Sequence, residues 1–178
     1  MISFGMTEEQ ELVRDAMREF AADILRPVAR ECDENSSIPE DLLQSIWELG
    51  LTSTQIPVEY GGGGEPRSMV TNAILVEELA HGDAALTMAA LAPSLFANAL
   101  IDHGSEAQKK KYLPLFCGAS FHTASLAIIE PGPLGEPLAP RTVAESKGDG
   151  WVLSGAKSCV VLGDRASHFL VFARNDDR

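Results

Sequence analysis

The residues of this chain with the most chemical promise gather at Ile129-Glu130-Pro131-Gly132 and in the stretch from Arg141 to Lys157. An apolar run breaks there at a Glu-Pro-Gly turn, because proline supplies no ladder donor, and a hairpin pattern follows. Roughly 120 residues of helical period come before it. A helical unit meeting a strand unit makes a composite site at the junction, the kind of place where a ligand is gripped between two elements. Other chemistries find little support. The three cysteines, Cys32, Cys117 and Cys159, are odd in number and lack Cys-x-x-Cys or Cys/His spacing, so neither a disulfide framework nor a metal site is expected. The histidines (His81, His103, His122, His168) are scattered and fit no ligand motif. Cys159 reads as a small buried thiol filling space, with no cation beside it to lower its pKa. Glu77 and Glu78 fall on a helix and read as structural; no catalytic base is assigned.

Bulk properties narrow the partners. A net charge of −12 argues against binding a nucleic-acid backbone. The basic run Lys109-Lys110-Lys111 reads as a solvated helix face near a C-terminus, where the dipole favours cations; contact with an anionic ligand tail or partner is the alternative. The chain is 45% hydrophobic over 178 residues, enough to build a core. No apolar run reaches the ~18–20 residues of a membrane span, and Met1 to Met6 lacks the basic-then-apolar layout of a leader. A soluble, cytoplasmic protein in a reducing compartment is expected.

The elements that must position the junction are legible in outline. Thr7 with Gln10 forms a capping box that opens a helix with Leu12, Val13, Ala16, Met17, Phe20 and Ile24 on one face. Arg26-Pro27 is expected to kink or end it. Ser37 with Glu40 predicts a second box and a helix ending at Gly50. Gly61 to Gly64 lacks the lysine of a phosphate loop and predicts a flexible connection. A third helix spans Met69 to Ala80, with Val70, Ile74, Leu75 and Leu79 inward. A fourth spans Asp83 to Ile101, apolar all round and therefore buried or pocket-lining, with Pro93 marking a kink or break. Ser105 with Gln108 caps a fifth. Strands are expected at Thr123–Ile129, Thr142–Ser146, Trp151–Ser154, Lys157–Leu162 and His168–Ala173. These do not close a β domain, so either the chain is cut or another polypeptide completes the sheet.

Taken in order, the motifs resemble the N-terminal half of an acyl-CoA dehydrogenase. They are Ile56-Pro57-Val58-Glu59-Tyr60-Gly61-Gly62, Glu77-Glu78-Leu79-Ala80, Gly104-Ser105-Glu106-Ala107-Gln108-Lys109-Lys110-Lys111-Tyr112-Leu113-Pro114, Glu130-Pro131-Gly132, Asp149 to Lys157 and Phe172-Ala173-Arg174. The resemblance implies an α+β fold: an N-terminal all-α helical bundle (1–120) followed by part of a β-barrel-like middle domain (121–178). It implies α,β-dehydrogenation of an acyl thioester, carried by CoA or acyl carrier protein, with FAD as hydride acceptor. It also implies an electron-transfer flavoprotein as electron acceptor, a homo- or hetero-oligomer, and a catalytic carboxylate in a C-terminal domain.

Mapped onto this chain, the family's flavin contacts fall on Leu126, Ile128, Ile129, Gly135, Cys159, Val160 and Val161. Its acyl pocket falls on Thr87, Met88, Leu91 and Leu95. Ile129 and Val161 replace hydroxyl residues, Cys159 replaces an indole, and Leu134-Gly135-Glu136 replaces Gly-Ser-Asp. The alternative is therefore a flavin-deficient homologue, either a non-catalytic partner subunit of a mixed oligomer or a repurposed biosynthetic enzyme. On its own the chain is expected to be poorly soluble or oligomeric, because the helical domain should present an apolar face.

Overall fold

The structure is a computed structural model that describes residues 5–132 and 137–175. Among the described residues six α-helices precede four short strands, an α+β arrangement. Helix α1 (Glu8–Phe20) opens at Thr7, whose hydroxyl accepts from the Gln10 N–H while the Gln10 side chain accepts from the Thr7 N–H. The chain does not stop at Arg26-Pro27. Ala21–Leu25 widens into a π-turn just ahead of Pro27, which cannot donate to the preceding turn, and α2 (Arg26–Asn35) carries on.

The second capping box does not form. Helix α3 (Glu40–Trp47) begins after Pro39 with no side-chain cap, and Ser36 ends α2 in the left-handed conformation. Ser68 caps α4 (Met69–Gly82) and Asp83 caps α5 (Ala84–His103). Ser105 and Gln108 form the expected box on α6 (Glu106–Tyr112). Pro93 neither kinks α5 to a stop nor reaches solvent; it is buried inside a continuous helix.

One face of α4 differs from expectation. Val70 points outward, 62% exposed, as do Met69 and Val76. An apolar helix without a polar stripe carries no signal for which face turns in. By length and composition alone α5, 20 residues, is apolar enough to cross a membrane. Half of that stretch is buried within the fold, the pattern of a core helix.

The glycine loop is not flexible. The Gly62, Gly63 and Gly64 amides donate to Pro57, Ser53 and Ile56 carbonyls at 3.3, 3.0 and 2.9 Å. A Cβ on Gly62 would lie 2.1 Å from the Ile56 carbonyl oxygen, so only glycine lets the loop fold onto its own backbone. Its donors are used internally, which removes the phosphate-cradle alternative.

Strand β1 (Ala124–Ala127) pairs in parallel with β4 (His168–Val171), Leu126 opposite Leu170. Strand β2 (Val143–Lys147) pairs antiparallel with β3 (Gly150–Ser154). Arg174 joins the pairs: its N–H donates to Thr142 and its carbonyl accepts from Ala144. The stretch Lys157–Leu162 is not a strand. Cys159 and Leu162 have φ of 51° and 54°, which no ladder tolerates. Phe116 and Leu113, both fully buried, pack with Ile56, Phe96, Leu100 and Ala124, welding the helices to β1. At that weld His122 Nε2 and His168 Nδ1 lie 3.1 Å apart, and burial, then His168, hold the His122 imidazole below its ordinary value.

Candidate functional site

The Glu-Pro-Gly junction is built around the Glu130 carboxylate. One oxygen accepts from the Thr142 N–H at 2.7 Å, the Thr142 hydroxyl at 2.6 Å and Lys157 Nζ at 2.9 Å. The other accepts from the Arg141 N–H at 2.8 Å and the Arg141 Nε at 3.4 Å. Its side chain is only 8% exposed, and that of Lys157 only 9%. The Thr142 hydroxyl, then the Thr142 amide and Lys157, hold the carboxyl well below the usual carboxylate range, against a smaller opposing effect of burial. Gly155 permits the close fit: a Cβ there would come within 2.6 Å of the Thr142 hydroxyl. Glu130 is thus a buried tie between the end of β1, the start of β2 and the chain after β3. Its partners went unseen in the sequence; an acid closing an apolar strand was the available signal that a cation must meet it.

Around this tie two backbone segments come together. Ser158 N–H donates to the Ile129 carbonyl at 2.8 Å, Lys157 Nζ to the Ile128 carbonyl at 3.1 Å, and the Ser125 hydroxyl to the Val161 carbonyl. Apart from Ser158, the amides of these segments are not used. Among the described residues, the N–H groups of Ile128, Ile129, Cys159, Val160 and Val161 donate to no protein acceptor. Ile128, Val160 and Val161 are half-buried, and half-buried main-chain donors call for an acceptor, which a ligand or water can supply here. Ile129 is 49% exposed beside it, and Cys159 is exposed rather than buried, because its left-handed backbone turns the thiol away from the core. Leu126 sits on β1 in register with Leu170. Gly135 lies outside the described residues.

Helix α5 links this cluster to a cavity. Its Ala89 and Ala92 pack with Leu43 and Leu162, with Val161 against them. A different face of α5 lines a cavity of about 290 Å³ between α4, α5 and the loop from Leu51 to Gln55. Leu91 and Leu95 line it; Leu51, Leu75 and Val76 complete its apolar wall. Thr87 and Met88 do not. Thr87 is buried, its hydroxyl donating to the Asp83 carbonyl at 2.7 Å, and Met88 is 60% exposed outside the cavity.

Two acids among the described residues, Glu78 and Glu130, are engaged as ion pairs. Glu78 is held by Arg18 at 2.6 Å and Glu130 by its own tie. Among the described residues no cluster of His, Cys, Asp and Glu could hold a metal ion.

The family described as acyl-CoA dehydrogenase, N-terminal domain, matches residues 7–119. The chain belongs to the acyl-CoA dehydrogenase family. It is 32% identical over 175 residues to a probable medium-chain specific acyl-CoA dehydrogenase 2, mitochondrial, of Caenorhabditis briggsae, a match covering 98% of this chain and 42% of that protein. It is 37% identical over 171 residues to cyclohex-1-ene-1-carbonyl-CoA dehydrogenase of Syntrophus aciditrophicus, covering 96% of this chain and 41% of that one. A chain from a structural study of the electron transferring flavoprotein of Acidaminococcus fermentans superposes with a TM-score of 0.83 at 29% identity, over 99% of this chain and 46% of that one. This acyl-CoA dehydrogenase relative therefore spans less than half the length of the proteins it matches.

Proposed function

We propose that this chain supplies the helical domain and the first β-strands of an enzyme that introduces an α,β double bond into an acyl thioester with FAD as hydride acceptor. The observation that carries the reading is the pair of backbone segments, 128–129 and 159–161, which meet through the Ser158 N–H to Ile129 carbonyl bond and whose own main-chain donors are unused. FAD, when bound, supplies acceptance of the β-hydride. The residues present fit its ring edge through main-chain N–H groups, which side-chain replacement leaves intact. The Ile129 and Val161 side chains would shield that edge from water but add no hydrogen bonds. Leu91 and Leu95 would receive the acyl chain. The base that removes the α-proton would come from a further domain, and that domain would cover the exposed apolar side chains of Met69, Val70, Met88 and Leu95. An electron-transfer flavoprotein is the proposed acceptor, and a homo- or hetero-oligomer the proposed assembly.

The side chains at 129, 159 and 161 support a second reading, a flavin-deficient homologue acting as a partner subunit or in another reaction. Titration with FAD separates the two. The triple variant Ile129→Thr, Cys159→Trp, Val161→Thr is expected to bind FAD more tightly, by roughly 2- to 10-fold for each restored hydrogen bond. No gain in affinity would show that these positions do not face the ring.

A further inference from the structure

We propose that the α4–α5 cavity selects an acyl group bearing a neutral oxygen, a keto or hydroxyl group, in its distal half, in preference to a plain alkyl chain. This rests on the reading of that cavity as the acyl site. Its lining is apolar in part, but it also carries polar side chains whose hydrogen-bonding capacity is only part used.

Thr52 Oγ1 and Ser94 Oγ lie 2.6 Å apart. Two hydroxyls in one such contact use one proton and leave the other without an acceptor. Gln55 Nε2 donates to Asn72 Oδ1 at 2.6 Å, and Asn72 Nδ2 to Gln55 Oε1 at 3.4 Å. Each carboxamide keeps a second N–H. Asn98, one turn beyond Ser94 on α5, makes no side-chain hydrogen bond among the described residues. Donors from α4, α5 and the preceding loop thus converge on one small cavity.

A methylene chain filling the space would strip water from these donors and return nothing, which is how a polar site rejects an analogue lacking the matching group. A carbonyl or hydroxyl oxygen supplies the missing partner. The preference is for a neutral oxygen rather than a carboxylate, because the cation at the rim is already matched: Arg67 donates to both oxygens of Asp102, at 2.7 and 3.1 Å.

The test is calorimetric titration of the full chain with three pantetheine thioesters of matched length: hexanoyl, 5-oxohexanoyl and adipoyl. The 5-oxohexanoyl probe is expected to bind roughly 3- to 10-fold more tightly than hexanoyl, and adipoyl no more tightly than hexanoyl. In the variant Thr52→Val, Ser94→Ala, Asn98→Leu, the oxo-to-plain affinity ratio should fall to about one. Leu95→Trp, which fills the cavity, should weaken all three probes, with circular dichroism confirming that the helices persist. Equal affinities for oxo and plain probes would overturn the selectivity while leaving the acyl cavity in place. Binding of no probe, or binding indifferent to Leu95→Trp, would overturn the cavity reading and the selectivity with it.

Discussion

Glu130→Gln is expected to release the β segment from its anchor while the helices stay folded. The substitution keeps the shape of the side chain but removes the charge that three donors on one oxygen and two on the other converge upon. It also leaves Lys157, nearly buried, without its counter-charge. Hydrogen exchange of the Arg141 and Thr142 amides should quicken by at least roughly tenfold, a readout of local opening that does not require global unfolding. The effect has a defined pH dependence. The folded carboxyl titrates well below its unfolded value of about 4.3. Its stabilisation is therefore fully present above that value and is lost as pH falls toward the folded one. The wild type and Glu130→Gln should differ clearly at pH 7 and converge in acid. Equal exchange rates at neutral pH would mean that the tie does not hold the junction.

Phe116→Ala is expected to have the largest effect on global stability. Phe116 is fully buried, its ring 5.5 Å from Phe96 and 5.2 Å from His122, in the cluster that includes Ala124 of β1. Truncation removes apolar surface and leaves a cavity where helices and strands meet, a loss of about 3–5 kcal/mol. A domain of this size holds only ~5–15 kcal/mol in total, so urea denaturation should shift markedly toward lower concentration. A loss below about 1 kcal/mol would mean that the site collapses around the vacancy, or that the weld lies elsewhere.

Both sites show what could be read from the sequence. The caps at Thr7 and Ser105 were visible because each is closed by a residue three positions on. The same logic failed at Ser37, where Pro39 starts the helix later and no side chain reaches back. The Glu130 tie was hidden because its partners lie 11 to 27 residues away. Lys157–Leu162 has the composition of a strand, but its backbone is bound by Ser125 and Ile129, and left-handed turns at Cys159 and Leu162 end any ladder. Of the α5 positions assigned from motif order, Leu91 and Leu95 line the cavity. Thr87 and Met88 were not separable from them, because a helix apolar on every side gives no phase. The polar lining required three segments to be brought together, which local pattern does not show.

The proposed role of this chain, as part of a flavin-dependent acyl thioester dehydrogenase, can be tested directly. The most direct measurement is the absorption spectrum of the protein assembled with the further domain its relatives carry, recorded before and after addition of an acyl-CoA. A yellow protein whose flavin bands bleach on mixing is the expected result. A well-folded, colourless assembly that takes up no added FAD would contradict it.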